Sequence, residues 1–273
     1  MKAIVYHNYG SPDVLKCEDI EKPIPKDNEI LIKVRAASLN PLDWHFMRGT
    51  PYFFRVIIGL RRPKFIGLGG DVAGQVEAAG KNVTQFKPGD AVFGGCRGAF
   101  AEYACASASE AVTKPDNVTF EQAASVRIAG LTALQGLRNK GHIHSGQKVL
   151  INGAAGGVGT FAVQIAKSFG GEVTGVCSTR NLEMVRSIGA DRVIDYTKTD
   201  FTQEDFNNGG RRYDIILDLV GNHSLSAYRR VLNPKGILVT AGGPSGRWRI
   251  GFARGIRAQV LSMLGSRNSS ASW

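Results

Sequence analysis

Cysteine is scarce: Cys17, Cys96, Cys105 and Cys177 are the only four, and no two are spaced as C-x-x-C. That pattern excludes a zinc ribbon or a dense disulfide framework and predicts reduced, mostly buried thiols. A charged-then-apolar leader is also missing, because Met1-Lys2-Ala3-Ile4-Val5-Tyr6 runs straight into a strand-like segment. The expectation is a cytoplasmic protein without a signal peptide. There is no internal repeat and no low-complexity tract. The longest uncharged stretch, Val149 to Ala166, contains Asn152, Gln164 and four glycines near its middle. A strand, a glycine turn and a helix account for it better than a membrane-spanning helix. Acidic residues are outnumbered, 23 against 34 basic ones, for a net charge of +11. Such a balance attracts anionic ligands, whether a phosphorylated small molecule, nucleic acid or an acidic membrane surface.

The 273 residues suit one large domain or two ordinary ones, and 43% hydrophobic with 21% charged residues fits a globular chain. Up to about residue 120 the pattern is β-rich. Ile30, Ile32 and Val34 alternate with Leu31, Lys33 and Arg35, and Val72, Gly74, Val76 and Ala78 alternate again. Turn chemistry at Asn8–Pro12, Lys22–Pro25 and Lys87–Asp90 separates the runs, which predicts a compact barrel-like domain. The character then changes. Thr119-Phe120-Glu121-Gln122 is a capping box announcing a helix. Beyond it, five apolar runs predict strands at 149–151, 173–177, 192–195, 214–219 and 237–240, with a helix at about 159–169 following the first. Strands alternating with helices predict a parallel sheet covered on both faces. The expected organisation is 1–120 as one domain, 121–264 as a doubly wound α/β domain and 265–273 as a disordered tail.

The strongest motif is Asn152-Gly153-Ala154-Ala155-Gly156-Gly157-Val158-Gly159. It follows a predicted strand and opens a predicted helix, the context of a dinucleotide fingerprint. Gly156 allows backbone to approach a diphosphate, Gly159 allows helix and strand to pack closely, and the helix N-terminus offers free N–H groups. Ala154, Ala155, Gly157 and Val158 complete the cradle. A Walker A loop is absent, since Gln147 stands where its lysine would be. An acid that would hold the ribose hydroxyls of NAD is missing from the end of the second strand. Cys177-Ser178-Thr179-Arg180-Asn181 offers hydroxyls and a guanidinium instead, which favours the 2′-phosphate of NADPH over NADH.

Taken together, these residues resemble the zinc-independent quinone oxidoreductases of the zeta-crystallin type, which are medium-chain dehydrogenase/reductases. The segments involved are Gly146–Leu150, Ala154–Gly159 and Gln164–Lys167, with Ser38–Trp44, Gly98–Tyr103 and Gly130–Ala133. The likeness is strongest to bacterial members and to those similar to the chloroplast-envelope homologue. The resemblance implies a GroES-like catalytic domain, a Rossmann domain, NADPH in the cleft between them, and a homodimer. It implies two-electron reduction of quinones or of activated C=C bonds in enones and alkenals. By motif, Asn40 and Asp43 would line the catalytic side and Thr132 would lie near the nicotinamide. Ser178, Arg180 and Tyr196 would meet the adenosine phosphate, and Val220 and Gly221 would pass close to the ribose. Zinc-dependent relatives need a cysteine near Asn40-Pro41 and Gly-His-Glu where this chain has Gly69-Gly70-Asp71. Short-chain dehydrogenases need Tyr-x-x-x-Lys, which does not occur.

Without a metal, catalysis rests on geometry and on donors for the developing oxyanion. Asn40 is the best polar candidate for ordering cofactor or substrate. Asp43 either joins it or is structural. Tyr52 is a donor, a pocket wall or a core side chain, and His45 is a proton donor or an ordinary partly exposed histidine. Two departures stand out. Arg127 replaces the usual proline, so a cation either disturbs the approach to Thr132 or simply reaches solvent. Relatives also continue into a sixth strand and a return to the first domain, so a truncated C-terminus is expected, with dimerisation and activity affected. A non-catalytic NADPH-binding role, RNA association and membrane contact through the basic stretch Arg247–Arg257 are the remaining alternatives.

Overall fold

A computed structural model of the chain describes residues 1–203 and 212–242. The chain divides into two compact units after Ile128. The capped helix beginning at Phe120 packs with the first unit.

In the first unit, strand β1 (Lys2–Tyr6) pairs antiparallel with β2 (Leu15–Asp19). A five-stranded antiparallel sheet has the order β6-β3-β4-β5-β7, made from β3 (Glu29–Ser38), β4 (Asp71–Ala79), β5 (Ala91–Gly95), β6 (Tyr103–Ser107) and β7 (Ala111–Thr113). Ile30, Ile32, Val72, Val76, Phe86 and Val92 form its core. Strict alternation would turn Leu31 outward. It does stand outside the cluster that holds Ile30 and Ile32, yet it too is buried. Register shifts between Leu31 and Ile32 and between Val34 and Ala36 interrupt the pairing with β4. Helices α1 (Pro41–Arg48) and α2 (Arg55–Ile58) fill the β3–β4 connection. Helix α3 (Phe120–Ala124) sets Ala123 and Ala124 against Ala73. Its capping box forms as expected: the Thr119 hydroxyl accepts from the Gln122 N–H at 3.2 Å, and the Gln122 side chain accepts from the Thr119 N–H at 2.9 Å. Thr119→Ala is expected to cost about 1 kcal/mol, read as a small fall in melting temperature.

Helix α4 (Arg127–Leu134) contains the division, and its residues from Ala129 on open the second unit. It continues through β8 (Lys148–Asn152), α5 (Gly157–Ser168), β9 (Glu172–Cys177), α6 (Leu182–Ser187), β10 (Arg192–Asp195), β11 (Tyr213–Asp218), α7 (Leu225–Val231) and β12 (Leu232–Thr240). The sheet is parallel throughout, in the order β10-β9-β8-β11-β12. Its strands bury both faces, which is why they are continuously apolar. Val149, Ile151, Ile215 and Leu217 enter one core with Ala162 and Val163 of α5. Leu150 and Ile216 alternate into the other, with Tyr228 and Val231 of α7. Strands and the α5 helix lie within about two residues of their expected positions, except that β12 begins earlier, at Leu232. Numbered from β8, the order is 3-2-1-4-5, the doubly wound arrangement expected, with β12 at one edge among the described residues. The expected tail at 265–273 and the basic stretch 247–257 lie outside the described residues. No helix among the described residues is long and apolar enough to cross a membrane.

Candidate functional site

The second unit gathers its predicted site residues at one edge of its sheet. Because β8, β9, β10 and β11 are parallel, their carboxyl ends share that edge, and the order changes direction between β8 and β11. There the loop after β8 turns at Gly153, whose φ of +92° lies in the left-handed region. Gly153 and Ala154 both donate to the Val176 carbonyl, at 3.2 and 3.0 Å, pinning the turn to β9. Gly156 is the N-cap of α5, and no side chain caps that end. Gly156 and Gly157 are exposed, Ala155 and Val158 half-buried, and Ala154 and Gly159 buried. A Cβ on Gly159 would lie 2.1 Å from the Gly153 carbonyl oxygen, so α5 reaches this close to the turn only because residue 159 has no side chain.

The other cofactor candidates surround this turn. Ser178 is half-buried, and its hydroxyl accepts from Asn181 at 3.1 Å. Arg180 is exposed, with no ion pair among the described residues. Tyr196 is exposed and donates its backbone N–H to the Cys177 carbonyl at 3.1 Å, which brings the end of β10 beside the end of β9. Val220 lies next to Gly153, 3.0 Å from where a Cβ would be, and Gly221 takes φ +72°. Ala129 of α4 approaches within 4.0 Å of a Cβ placed on Gly157, and Thr132 follows three residues on along the same helix face.

Sequence reasoning missed two parts of this edge. Asp195 closes β10, where its carboxylate accepts from Thr179 Oγ1 and from the backbone N–H and hydroxyl of Thr197. These bonds, the Thr179 one foremost, hold its pKa below the usual carboxylate range. The acid absent after β9 is therefore present one strand over, already engaged by hydroxyls. Beneath the turn, Asn152 Nδ2 donates to Asp218 Oδ1 and to Asn222 Oδ1, each at 2.9 Å. Asp218 Oδ1 also accepts from the N–H groups of Val220 and Gly221, at 3.1 and 3.0 Å. This buried knot shapes the Val220–Gly221 turn. Its sequence signal was a polar residue ending each of two apolar strands.

The turn fits a dinucleotide diphosphate on three counts. The N-terminus of α5 has no side-chain cap, Gly156 and Gly157 have no Cβ to fill the space in front of it, and the surrounding loops sit at the point where strand order reverses.

In the first unit, Asn40 precedes α1 and is buried. Its amide donates to Ser38 Oγ and to Asp71 Oδ2, each at 3.1 Å, so its N–H groups point inward. Asp43 is buried with both oxygens occupied: Oδ2 accepts from the Asn40 N–H at 2.8 Å and Oδ1 from the Gly69 N–H at 3.0 Å. Burial pushes its carboxyl up, against the pull of those two bonds. Tyr52 is 72% exposed, lying under the Arg55 guanidinium at 4.8 Å, so it is not a core side chain. His45 turns Nδ1 to the Thr50 carbonyl at 2.9 Å. Arg127 does not simply reach solvent. It pairs with Glu110, comes within 3.9 Å of Asp71 Oδ1, and its guanidinium fills the space a Cβ on Gly95 would need. Asp71 is fully buried, and Oδ1 has no hydrogen bond, so this cation is its counter-charge.

All four cysteines are free, but only Cys177 is buried; Cys17 is exposed and the other two are half-buried. Their apolar surroundings push Cys96 up to about 12 and Cys105 up to about 11, which leaves both poor nucleophiles at neutral pH. Among the described residues no group of three or more His, Cys, Asp or Glu side chains comes together as a metal site.

Comparison with known proteins agrees with this geometry. The alcohol dehydrogenase GroES-like domain matches residues 26–116 and the zinc-binding dehydrogenase family matches residues 157–273. The chain is 39% identical over 227 residues to a chloroplastic quinone-oxidoreductase homologue of Spinacia oleracea, covering 80% of this chain and 67% of that one. The structure of the quinone oxidoreductase from Coxiella burnetii matches with a TM-score of 0.82 and 35% identity, over 96% of this chain and 80% of that one. Escherichia coli quinone oxidoreductase complexed with NADPH matches with a TM-score of 0.78 and 27% identity, over 93% and 78%. A GroES-like unit followed by a Rossmann unit with a glycine turn, in a chain this similar, places the protein in the quinone oxidoreductase type of the medium-chain dehydrogenase/reductase family, as an NAD(P)-dependent oxidoreductase.

Proposed function

We propose that the chain is an NADPH-dependent reductase that delivers a hydride to quinones or to activated C=C bonds of enones and alkenals. The observation that carries the choice of cofactor is the loop after β9: Arg180 is exposed and unpaired among the described residues, beside the Ser178 hydroxyl and Tyr196. A 2′-phosphate would find charge-assisted donors there, whereas a ribose diol would find no acid after β9 to receive it. The bound nicotinamide supplies the hydride, and solvent supplies the proton that completes the hydroquinone or the saturated bond. The amides at the start of α5 bind the diphosphate. Asp218 holds the Val220–Gly221 turn in place for the ribose, and Thr132 positions the nicotinamide. From the first unit, Asn40 serves substrate or cofactor through its carbonyl oxygen, because its N–H groups are already used. Asp43 acts through Asn40 as a positioning residue, and Tyr52 is a wall of the substrate site.

Arg180→Ala is expected to weaken NADPH binding by about 1.5–3 kcal/mol, roughly tenfold or more, and to leave NADH binding nearly unchanged. Fluorescence titration with both nucleotides checks this, and equal losses for the two would refute the phosphate assignment. NADPH consumption with 9,10-phenanthrenequinone and with a simple enone tests the reaction. Tight NADPH binding without turnover on either would favour a non-catalytic nucleotide-binding role.

A further inference from the structure

From Trp44 to Gly70 the sequence contains no Asp or Glu but five cations, Arg48, Arg55, Arg61, Arg62 and Lys64. In the same stretch Val56, Ile57 and Leu60 are 69%, 70% and 71% exposed. Three aliphatic side chains this open, within five residues, form a patch rather than scattered exposure. The local framework imposes the exposure. Gly59 ends α2 with φ +121°, and a Cβ there would lie 2.0 Å from the Arg62 carbonyl oxygen. The Gly59 carbonyl accepts the Tyr9 hydroxyl at 2.7 Å, and the Lys64 N–H donates to the Ile58 carbonyl at 2.7 Å. Arg55 is committed to this framework, with Nε on the Gly49 carbonyl and its guanidinium over the Tyr9 ring. Arg61, Arg62 and Lys64 are exposed and form no ion pair among the described residues.

We infer that this turn is a peripheral docking surface for an anionic lipid bilayer. Val56, Ile57 and Leu60 would enter the headgroup boundary while Arg61, Arg62 and Lys64 meet lipid phosphates. The alternatives fit less well. Single-stranded nucleic acid is held by aromatic stacking faces, and here the rings of Trp44, Tyr52 and Phe65 are already covered by the guanidiniums of Arg48, Arg55 and Arg97. A second copy meeting this face across a two-fold axis would set the same cations against one another. The inference is independent of cofactor choice, and nucleotide binding provides a separate control.

The test is co-sedimentation of the purified full chain with vesicles of phosphatidylcholine alone or mixed with phosphatidylglycerol. Binding is expected to the mixed vesicles, to be weaker on the neutral ones, and to decline as salt is raised. Arg61→Glu/Arg62→Glu should weaken it roughly tenfold or more. Ile57→Ser/Leu60→Ser should weaken it while removing no charge. Both variants should keep wild-type melting temperature and NADPH affinity, which shows that loss of docking is not loss of folding. Absence of binding to the mixed vesicles would overturn the inference. So would equal binding to both lipids, or variants that bind as tightly as the wild type. A concentration-dependent dimer lost in Ile57→Ser/Leu60→Ser, without vesicle binding, would assign the patch to a second copy instead.

Discussion

Gly159→Ala is expected to abolish measurable binding of both NADPH and NADH and to destabilise the second unit by about 3 kcal/mol or more. The added Cβ would lie 2.1 Å from the Gly153 carbonyl oxygen and 2.7 Å from Ala154 Cα. Neither atom can retreat easily, because the Gly153 and Ala154 N–H groups are both bonded to the Val176 carbonyl. The helix must therefore swing outward, taking its first amides out of register with a diphosphate. Gly157→Ala is the control. Its Cβ would meet nothing closer than Ala129 Cβ at 4.0 Å, so stability should hold while the methyl projects toward the phosphate path. Thermal melting with nucleotide titration on the two variants separates packing from binding. Wild-type nucleotide affinity in Gly159→Ala would remove the basis for the cofactor site.

Asp43→Ala should destabilise the first unit by roughly 2–4 kcal/mol, because it leaves the buried Asn40 and Gly69 N–H groups without acceptors. Activity should fall along with it, since Asn40 loses the bond that sets its backbone. The pH dependence has a definite sign. Burial raises the Asp43 carboxyl in the folded protein, so the folded state binds its proton more tightly than the unfolded chain does. This group's contribution is then largest below its unfolded value and is lost as pH rises through the raised folded value. The lowered carboxylates, Asp191 and Asp195 among them, work in the opposite direction. The stability difference between wild type and Asp43→Asn isolates the effect, and it should shift against the wild type as pH increases over that window. A difference independent of pH would show that burial does not govern this carboxyl.

The second unit was legible because its signals are local. Continuous apolar strands, a glycine turn at 153–159 and a following helix each follow from a few adjacent residues, and parallel order then brings Ser178, Tyr196 and Val220 to the same edge. The first unit was less so. Leu31 is buried although it stands outside the cluster of Ile30 and Ile32, which alternation alone does not reveal. Tyr52, a donor, a pocket wall or a core side chain by the sequence, lies on the surface under Arg55. Asp43 had two open roles, and its two backbone donors, one of them 26 residues away, show what it holds together.

By itself the sequence determined the glycine turn and the uncapped start of α5, because the placement of those main-chain amides depends on glycines within one short loop. It also determined the alternation of strand and helix, through periodicity that each segment carries alone. Only the tertiary structure decided what the isolated charges do. Arg127 became the counter-charge of buried Asp71, Asp195 was taken up by threonines, and Arg61, Arg62 and Lys64 were left exposed. Glu110 lies 17 residues from Arg127 and Thr179 lies 16 from Asp195, so these pairings depend on distances that only folding sets.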